Sequence, residues 1–253
     1  MFLVKSLTKH FDGIIAVQDV TFTINQGEIL AIIGPNGAGK STVFNLMTGT
    51  ITPTSGMVFM EKVRISGLPP NKVAVKGIAR TFQTTSLFDQ LRVIDNLLIG
   101  YKYRTRIGFW NTLLHTPAWK RYQTEAFMRA MEMLEFLGLA DKAEYFIPAL
   151  SQEEQKRLAI GIAMVSKPRI LLLDEPTGGL IQEETDRITR LIERIRDQGT
   201  TVCIIEHKMQ MIMGLADRIV VLNYGKKIAE GTPDEIKSNQ AVIEAYLGGE
   251  VHV

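Results

Sequence analysis

The chain has 253 residues, 45% of them hydrophobic and 22% charged, with a formal net charge of +2. That composition belongs to a folded globular protein with a substantial core, and the near balance of charge excludes nucleic-acid binding through bulk charge. No apolar run approaches the ~20 residues that span a bilayer. The N-terminus lacks a signal-peptide layout, so a role at a membrane requires another protein to bring the chain there. The single cysteine, Cys203, has no partner for an internal disulfide and reads as a small buried hydrophobe in a reducing compartment.

In chain order, residues 2–4, 14–17 and 20–24 are β-rich, with turn signals at Asp12-Gly13 and Asn25-Gln26-Gly27. Phe11, just before the first turn, is either an exposed hairpin aromatic or a stacking platform. The apolar strand Ile29-Leu30-Ala31-Ile32-Ile33 then runs into Gly34-Pro35-Asn36-Gly37-Ala38-Gly39-Lys40-Ser41-Thr42, where a helix is expected over 40–48. Gly34, Gly39, Lys40 and Ser41 satisfy G-x-x-x-x-G-K-[ST]. The glycines let backbone N–H groups turn toward phosphate oxygens, and the helix start adds free donors and the positive dipole end. Lys40 supplies a charge for the β- and γ-phosphates, and the Ser41 hydroxyl is placed to ligate Mg²⁺.

A strand is expected over 57–60, a short helix over 71–77 and a core strand over 78–83. From 87 to 157 strand signals vanish and helical spacing appears at 93–98 and 125–137. Between these, 101–122 is basic and aromatic, with Lys102, Arg104, Arg106, Trp110, Trp119, Lys120 and Arg121. It reads as a solvated surface or as a contact for lipid headgroups or a partner. A helix follows over 151–165, then the buried strand 169–173, an amphipathic helix over 183–198 and the strand 200–205. A helix over 208–215, strands at 218–222 and 226–229, and a helix over 240–247 complete the chain.

Ile170-Leu171-Leu172-Leu173-Asp174-Glu175 places two carboxylates where a buried strand emerges. In a phosphate-loop protein such an Asp helps to hold Mg²⁺ beside Ser41, and the Glu beyond it can polarise a water toward the γ-phosphorus. His207 follows the next strand. If the two strands are neighbours, it joins the same ligand edge.

With these residues in place the chain resembles an ATP-binding cassette (ABC) ATPase of the transporter kind over essentially its whole length. Phe11 matches the adenine-stacking aromatic, Gly34–Thr42 the phosphate loop, and Gln83, in Arg80-Thr81-Phe82-Gln83, the glutamine that senses Mg²⁺ and γ-phosphate and links to the membrane subunit. Asp174, Glu175 and His207 match the magnesium aspartate, catalytic glutamate and switch histidine. Arg80-Thr81-Phe82-Gln83, the helical insertion with Leu113-Leu114-His115-Thr116-Pro117, Ile205-Glu206-His207 and the closing Ala245-Tyr246-Leu247-Gly248 resemble the importer branch for branched-chain amino acids.

The resemblance implies an α/β fold: a RecA-like P-loop core with an antiparallel β subdomain (1–86 and 158–231), an inserted helical subdomain (87–157) and a C-terminal helical extension (232–253). It implies ATP and Mg²⁺ as cofactors and a dimer in which each ATP lies between one phosphate loop and the partner's signature. The other implied partners are integral membrane transporter subunits, docking near Gln83 and 84–92, and indirectly an extracytoplasmic solute-binding protein. Nucleic acid is not among them. The implied location is peripheral, at the cytoplasmic face of the inner membrane.

Two departures stand out. The family signature Leu-Ser-Gly-Gly-Gln is replaced by Leu150-Ser151-Gln152-Glu153-Glu154, losing both glycines. Ser151 and Glu154 have capping-box spacing, and Glu153 is expected to oppose the partner's incoming γ-phosphate, which weakens this signature and favours a heterodimer. Ile181 stands where the family usually has Asp or Asn. The altered signature opens an alternative, a nucleotide-gated regulatory subunit with weak hydrolysis, against which Glu175 and His207 argue. A cassette of translation or DNA repair lacks its second cassette or long coiled coil here. A P-loop kinase leaves Gln83 and His207 unexplained.

Overall fold

The computed structural model describes residues 1–81, 87–102 and 117–247. A six-stranded sheet carries the site. It is built from β3 (Ile29–Ile33), β6 (Ile78–Arg80), β7 (Ile170–Asp174), β8 (Thr201–Ile205), β9 (Arg218–Asn223) and β10 (Lys226–Gly231), in the order β10-β9-β3-β8-β7-β6. All its pairings are parallel except β10 on β9. A second, antiparallel sheet has the order β2-β1-β4-β5, formed by β1 (Phe2–Phe11), β2 (Ile14–Ile24), β4 (Ser55–Met60) and β5 (Val63–Arg64).

The alternation along β3 explains how the sheets are joined. Ile29, Ala31 and Ile33 face one hydrophobic cluster, whereas Leu30 and Ile32 face another. The first cluster includes the helices α3 (Val93–Lys102), α4 (Pro117–Leu137), α5 (Gln152–Met164) and α6 (Gln182–Asp197); the second encloses α1 (Lys40–Met47) and the antiparallel sheet. β3, β7 and β8 are buried at every position, which a parallel strand covered on both faces requires. Cys203 sits fully buried in β8, and burial pushes its thiol pKa up, with Glu28 adding to the shift.

The chain is completed by α2 (Pro70–Val75), α7 (Met209–Leu215), α8 (Pro233–Lys237) and α9 (Gln240–Leu247). Residues 14–24 form one continuous strand rather than two; register shifts on β1 and a left-handed Asp19 (φ 49°) absorb the break in alternation. α4 begins eight residues before 125 because Tyr122 stacks on both Tyr101 of α3 and Trp119, with ring centroids 5.7 Å apart in each pair. The described aromatics of the basic-aromatic stretch are thus engaged between helices; residues 103–116 lie outside the described residues. α5 runs unbroken through position 157, where the sequence reading divides core from helical subdomain. No described helix is long and apolar enough to cross a membrane.

Candidate active site

β8 lies between β3 and β7, so the loops leaving all three strands share one edge. Here Ile205 pairs with Ile32 on one side and Asp174 on the other. The sheet order brings Gly34–Thr42, Asp174-Glu175 and His207 together, as the spacing predicts.

The phosphate loop is shaped by contacts that exclude side chains. Gly39 has φ 97° and a Cβ there would lie 2.5 Å from the Ala16 carbonyl; at Gly34 (φ 151°) it would lie 2.1 Å from the Leu222 carbonyl. The β9–β10 turn supports the loop from below, Gly225 donating its N–H to the Ala38 carbonyl at 3.1 Å. α1 opens at Gly39 with no side-chain cap and no acidic residue in its first turn, so its terminal N–H groups are available to an anion. Pro35 and Asn36 form the outer turn of the loop, Ala38 packs inward, and Ser41 is exposed at the helix start. Lys40 is only 6% exposed. Its ammonium donates to the carbonyls of Gly34 (2.7 Å) and Pro35 (2.8 Å). Burial lowers its pKa, against the opposing pull of Glu175 and Asp174. From α9 the Tyr246 phenol reaches the Gly34 backbone; burial raises its pKa and that hydrogen bond opposes the rise.

Asp174 is 4% exposed. Its Oδ2 accepts from Arg80 Nη2 at 2.7 Å, while its buried Oδ1 has no hydrogen-bond partner. An oxygen-only set of the unpartnered Asp174 Oδ1 and the exposed Ser41 hydroxyl fits a hard cation that keeps several waters and takes phosphate oxygens, as Mg²⁺ does. Glu175 has a left-handed backbone (φ 48°), an uncommon conformation for a non-glycine residue that re-aims its side chain after the strand. Its N–H donates to the Ile205 carbonyl at 2.9 Å, and its Oε1 lies 2.8 Å from His207 Nε2. That pairing sets a carboxylate suited to orienting a water beside an imidazole suited to holding phosphate or proton.

Phe11 closes the β1–β2 hairpin. Its ring is 43% exposed and carries the Lys9 ammonium over one face at 4.9 Å. The Asp12-Gly13 turn has positive φ at both residues (42° and 93°), the two-residue hairpin geometry. The hairpin's second strand touches Gly39 through Ala16, so Phe11 stands on the phosphate-loop side. Gln83 lies outside the described residues.

The signature segment departs from expectation. Ser151 and Glu154 do form a capping box, with Glu154 N–H to Ser151 Oγ at 3.2 Å and Ser151 N–H to Glu154 Oε2 at 2.9 Å. Glu153, however, does not face outward to oppose an incoming γ-phosphate. Its side chain is 3% exposed, with Arg157 Nε 2.8 Å away and Arg187 Nε 3.7 Å away. The i, i+4 spacing of Glu153 and Arg157 was the sequence signal for this. Gln152, like Ser151, is exposed, and a Cβ at Gly179 would lie 2.7 Å from its Nε2.

Three further residues organise the edge. Buried Glu206 accepts from Thr177 N–H (2.9 Å), the Thr177 hydroxyl, His207 N–H (2.8 Å) and Lys208 N–H (3.3 Å), tying the loop after Glu175 to the loop bearing His207. Lys156 of α5 donates to the Glu175 carbonyl at 3.4 Å, and Lys208 to the Leu180 carbonyl at 2.7 Å. Glu206 was visible only as the residue before His207. Its partner lies 29 positions away. Ile181, at the outer end of this loop, is 66% exposed.

Residues 17–178 match the family described as ABC transporter, and residues 226–252 the branched-chain amino acid ATP-binding cassette transporter family. Over 246 residues, 97% of this chain and 96% of the relative, the sequence is 44% identical to the high-affinity branched-chain amino acid transport ATP-binding protein LivG of Salmonella typhimurium. The fold superimposes with a TM-score of 0.87 on the ADP conformation of MJ1267, an ATP-binding cassette of an ABC transporter, at 30% identity over 98% of both chains. It superimposes with a TM-score of 0.77 on the dimeric post-hydrolysis state of the cassette MJ0796 bound to ADP and phosphate, at 26% identity over 92% of this chain and 99% of that one.

Proposed function

This chain belongs to the ABC transporter family, and from that premise we propose that it is the ATP-hydrolysing subunit of an importer for branched-chain or related amino acids. The convergence of the phosphate loop, the half-paired Asp174 and the Glu175–His207 pair on one sheet edge carries the reading. ATP would stack its base on Phe11 and lay its phosphates along the N–H groups of Gly34–Thr42, with Lys40 exchanging loop carbonyls for phosphate oxygens. Ser41, Asp174 and Gln83 would hold Mg²⁺, which neutralises charge on the phosphates. Glu175 would orient the attacking water and His207 the γ-phosphate.

The chain would act in a dimer, each signature closing the partner's site. Ser151 and Glu154 already occupy two of the N–H groups at the start of α5, which supports a partner whose own signature does more for this chain's phosphate loop, hence a heterodimer. A groove of about 520 Å³ lined by Val73, Thr81, Leu87, Phe88, Ile99 and Ile162 supports docking of an integral membrane subunit there. The chain would then sit peripherally at the cytoplasmic face of the inner membrane, with a solute-binding protein delivering cargo to the far side.

The deciding experiment is phosphate release from Mg-ATP by the purified chain, alone and with its membrane subunits, for wild type and Glu175→Gln. The variant should bind ATP normally yet hydrolyse it about 10²–10⁴-fold more slowly. Equal hydrolysis by the two proteins would remove Glu175 from the reaction.

A further inference from the structure

Arg80 belongs to none of the nucleotide motifs, yet it is the most deeply engaged cation beside the metal aspartate. It ends β6, where it pairs with Leu172 of β7, two residues before Asp174. Its side chain is 9% exposed and its fork is split between two elements. Nη2 donates to Asp174 Oδ2 at 2.7 Å, whereas Nη1 donates to Asn45 Oδ1 at 2.6 Å and reaches Thr48 Oγ1 at 3.5 Å. The guanidinium also lies 5.6 Å from the Phe44 ring centroid. Asn45 and Phe44 belong to α1, the helix that the phosphate loop opens, so one side chain fastens the metal strand to the phosphate helix.

We infer that Arg80 is a positioning residue that makes cation binding at Asp174 dependent on nucleotide. The inference rests on the nucleotide-site reading above. A guanidinium cannot shed its proton at any working pH, so the carboxylate beside it is permanently paired. The split fork holds Oδ2 and leaves the buried Oδ1 as the carboxylate oxygen without a hydrogen-bond partner among the described residues. An Asp–Arg pair carries no net charge, and at the same edge the buried Lys40 ammonium offsets the Glu175 carboxylate. A lone divalent cation therefore meets an unpartnered oxygen but no net attraction. Once phosphates arrive, their negative charge tips that balance toward a cation, and Oδ1 has no hydrogen bond to give up in binding it. In this arrangement free Mg²⁺ does not settle at the edge ahead of nucleotide, where it would compete with Lys40 for the phosphates.

Electron paramagnetic resonance of Mn²⁺ tests this on the full chain, with and without ADP, independently of turnover. Wild type should bind Mn²⁺ tightly only when ADP is present. Arg80→Gln, which keeps a donor toward Asp174 but removes the charge, should bind Mn²⁺ without nucleotide about tenfold more tightly than wild type. Arg80→Lys should retain the dependence on ADP. If Arg80→Gln fails to fold, Asn45→Ala loosens the same fork and should give a smaller rise, about two- to threefold. A folded Arg80→Gln or Asn45→Ala with the nucleotide-free Mn²⁺ affinity of wild type overturns the inference alone. Failure of wild type to bind Mn²⁺ even with ADP overturns both it and the nucleotide-site reading.

Discussion

Neighbouring residues of the signature turn have opposite environments, so the same change has unequal consequences at each. Gln152 is exposed at the start of α5, whereas Glu153 is buried against Arg157. Gln152→Gly should cost about 1 kcal/mol or less. Glu153→Gly breaks a buried ion pair and leaves Arg157 only the more distant Glu154 carboxylate, at 4.0 Å, which should cost roughly 3 kcal/mol. Urea unfolding of the two variants checks the contrast, and equal midpoints would refute it. At this scale the sequence disclosed residues whose chemistry is written into consecutive positions: Gly34 to Thr42, Asp174-Glu175 and His207. It did not disclose Arg80 or Glu206, because what defines them is a partner far along the chain. Arg80 meets Asp174 across 94 positions. Nor did it disclose which way Glu153 turns, since motif alignment assigns a place and not a rotamer.

Among the elements, those that burial dictates were legible and those that tertiary contacts extend were not. β7 and β8 are short, fully buried and apolar but for one end residue each, so their limits shifted by a residue at most. α4 reaches back to Pro117 through ring stacking that periodicity does not register. The five-residue α8 was overlooked although Thr232 and Glu235 form a capping box around Pro233, a signal present in the sequence. The phosphate loop is the element with least tolerance, because backbone carbonyls wall it in. Gly39→Ala would force a left-handed alanine against Ala16 and should cost about 1–3 kcal/mol. It should also abolish binding of a fluorescent ATP analogue; retained binding together with an unchanged melting temperature would contradict the steric account.

For the whole molecule, the sheet divides labour between its two faces. One face and α1 meet the antiparallel sheet that carries Phe11; the other meets the helices that carry the signature segment. In the sequence a change of texture marks residue 87, where strand signals give way to helical spacing. No such change marks residue 157, where α5 runs unbroken and also touches β6 and β7. Phe88, 54% exposed at the groove, is well placed to anchor a membrane subunit. Phe88→Asp should abolish co-purification with that subunit while hydrolysis by the isolated chain stays within about twofold of wild type. Undiminished co-purification would place the docking surface elsewhere.

Cys203 gives the molecule a built-in stopwatch. The chain's single thiol lies in β8, flanked by the strand that feeds the phosphate loop and the strand that ends in Asp174. It is fully buried at the middle of an interior strand, so a disulfide reagent added to the native protein should label it only as fast as the whole sheet opens. Any ligand that binds the folded site alone lengthens that interval by the factor 1 + [L]/Kd. Timing the colour change at increasing ADP should therefore return the dissociation constant without radioactivity, fluorophore or turnover. Labelling at the rate of a free thiol would show that β8 is not the sealed centre described above.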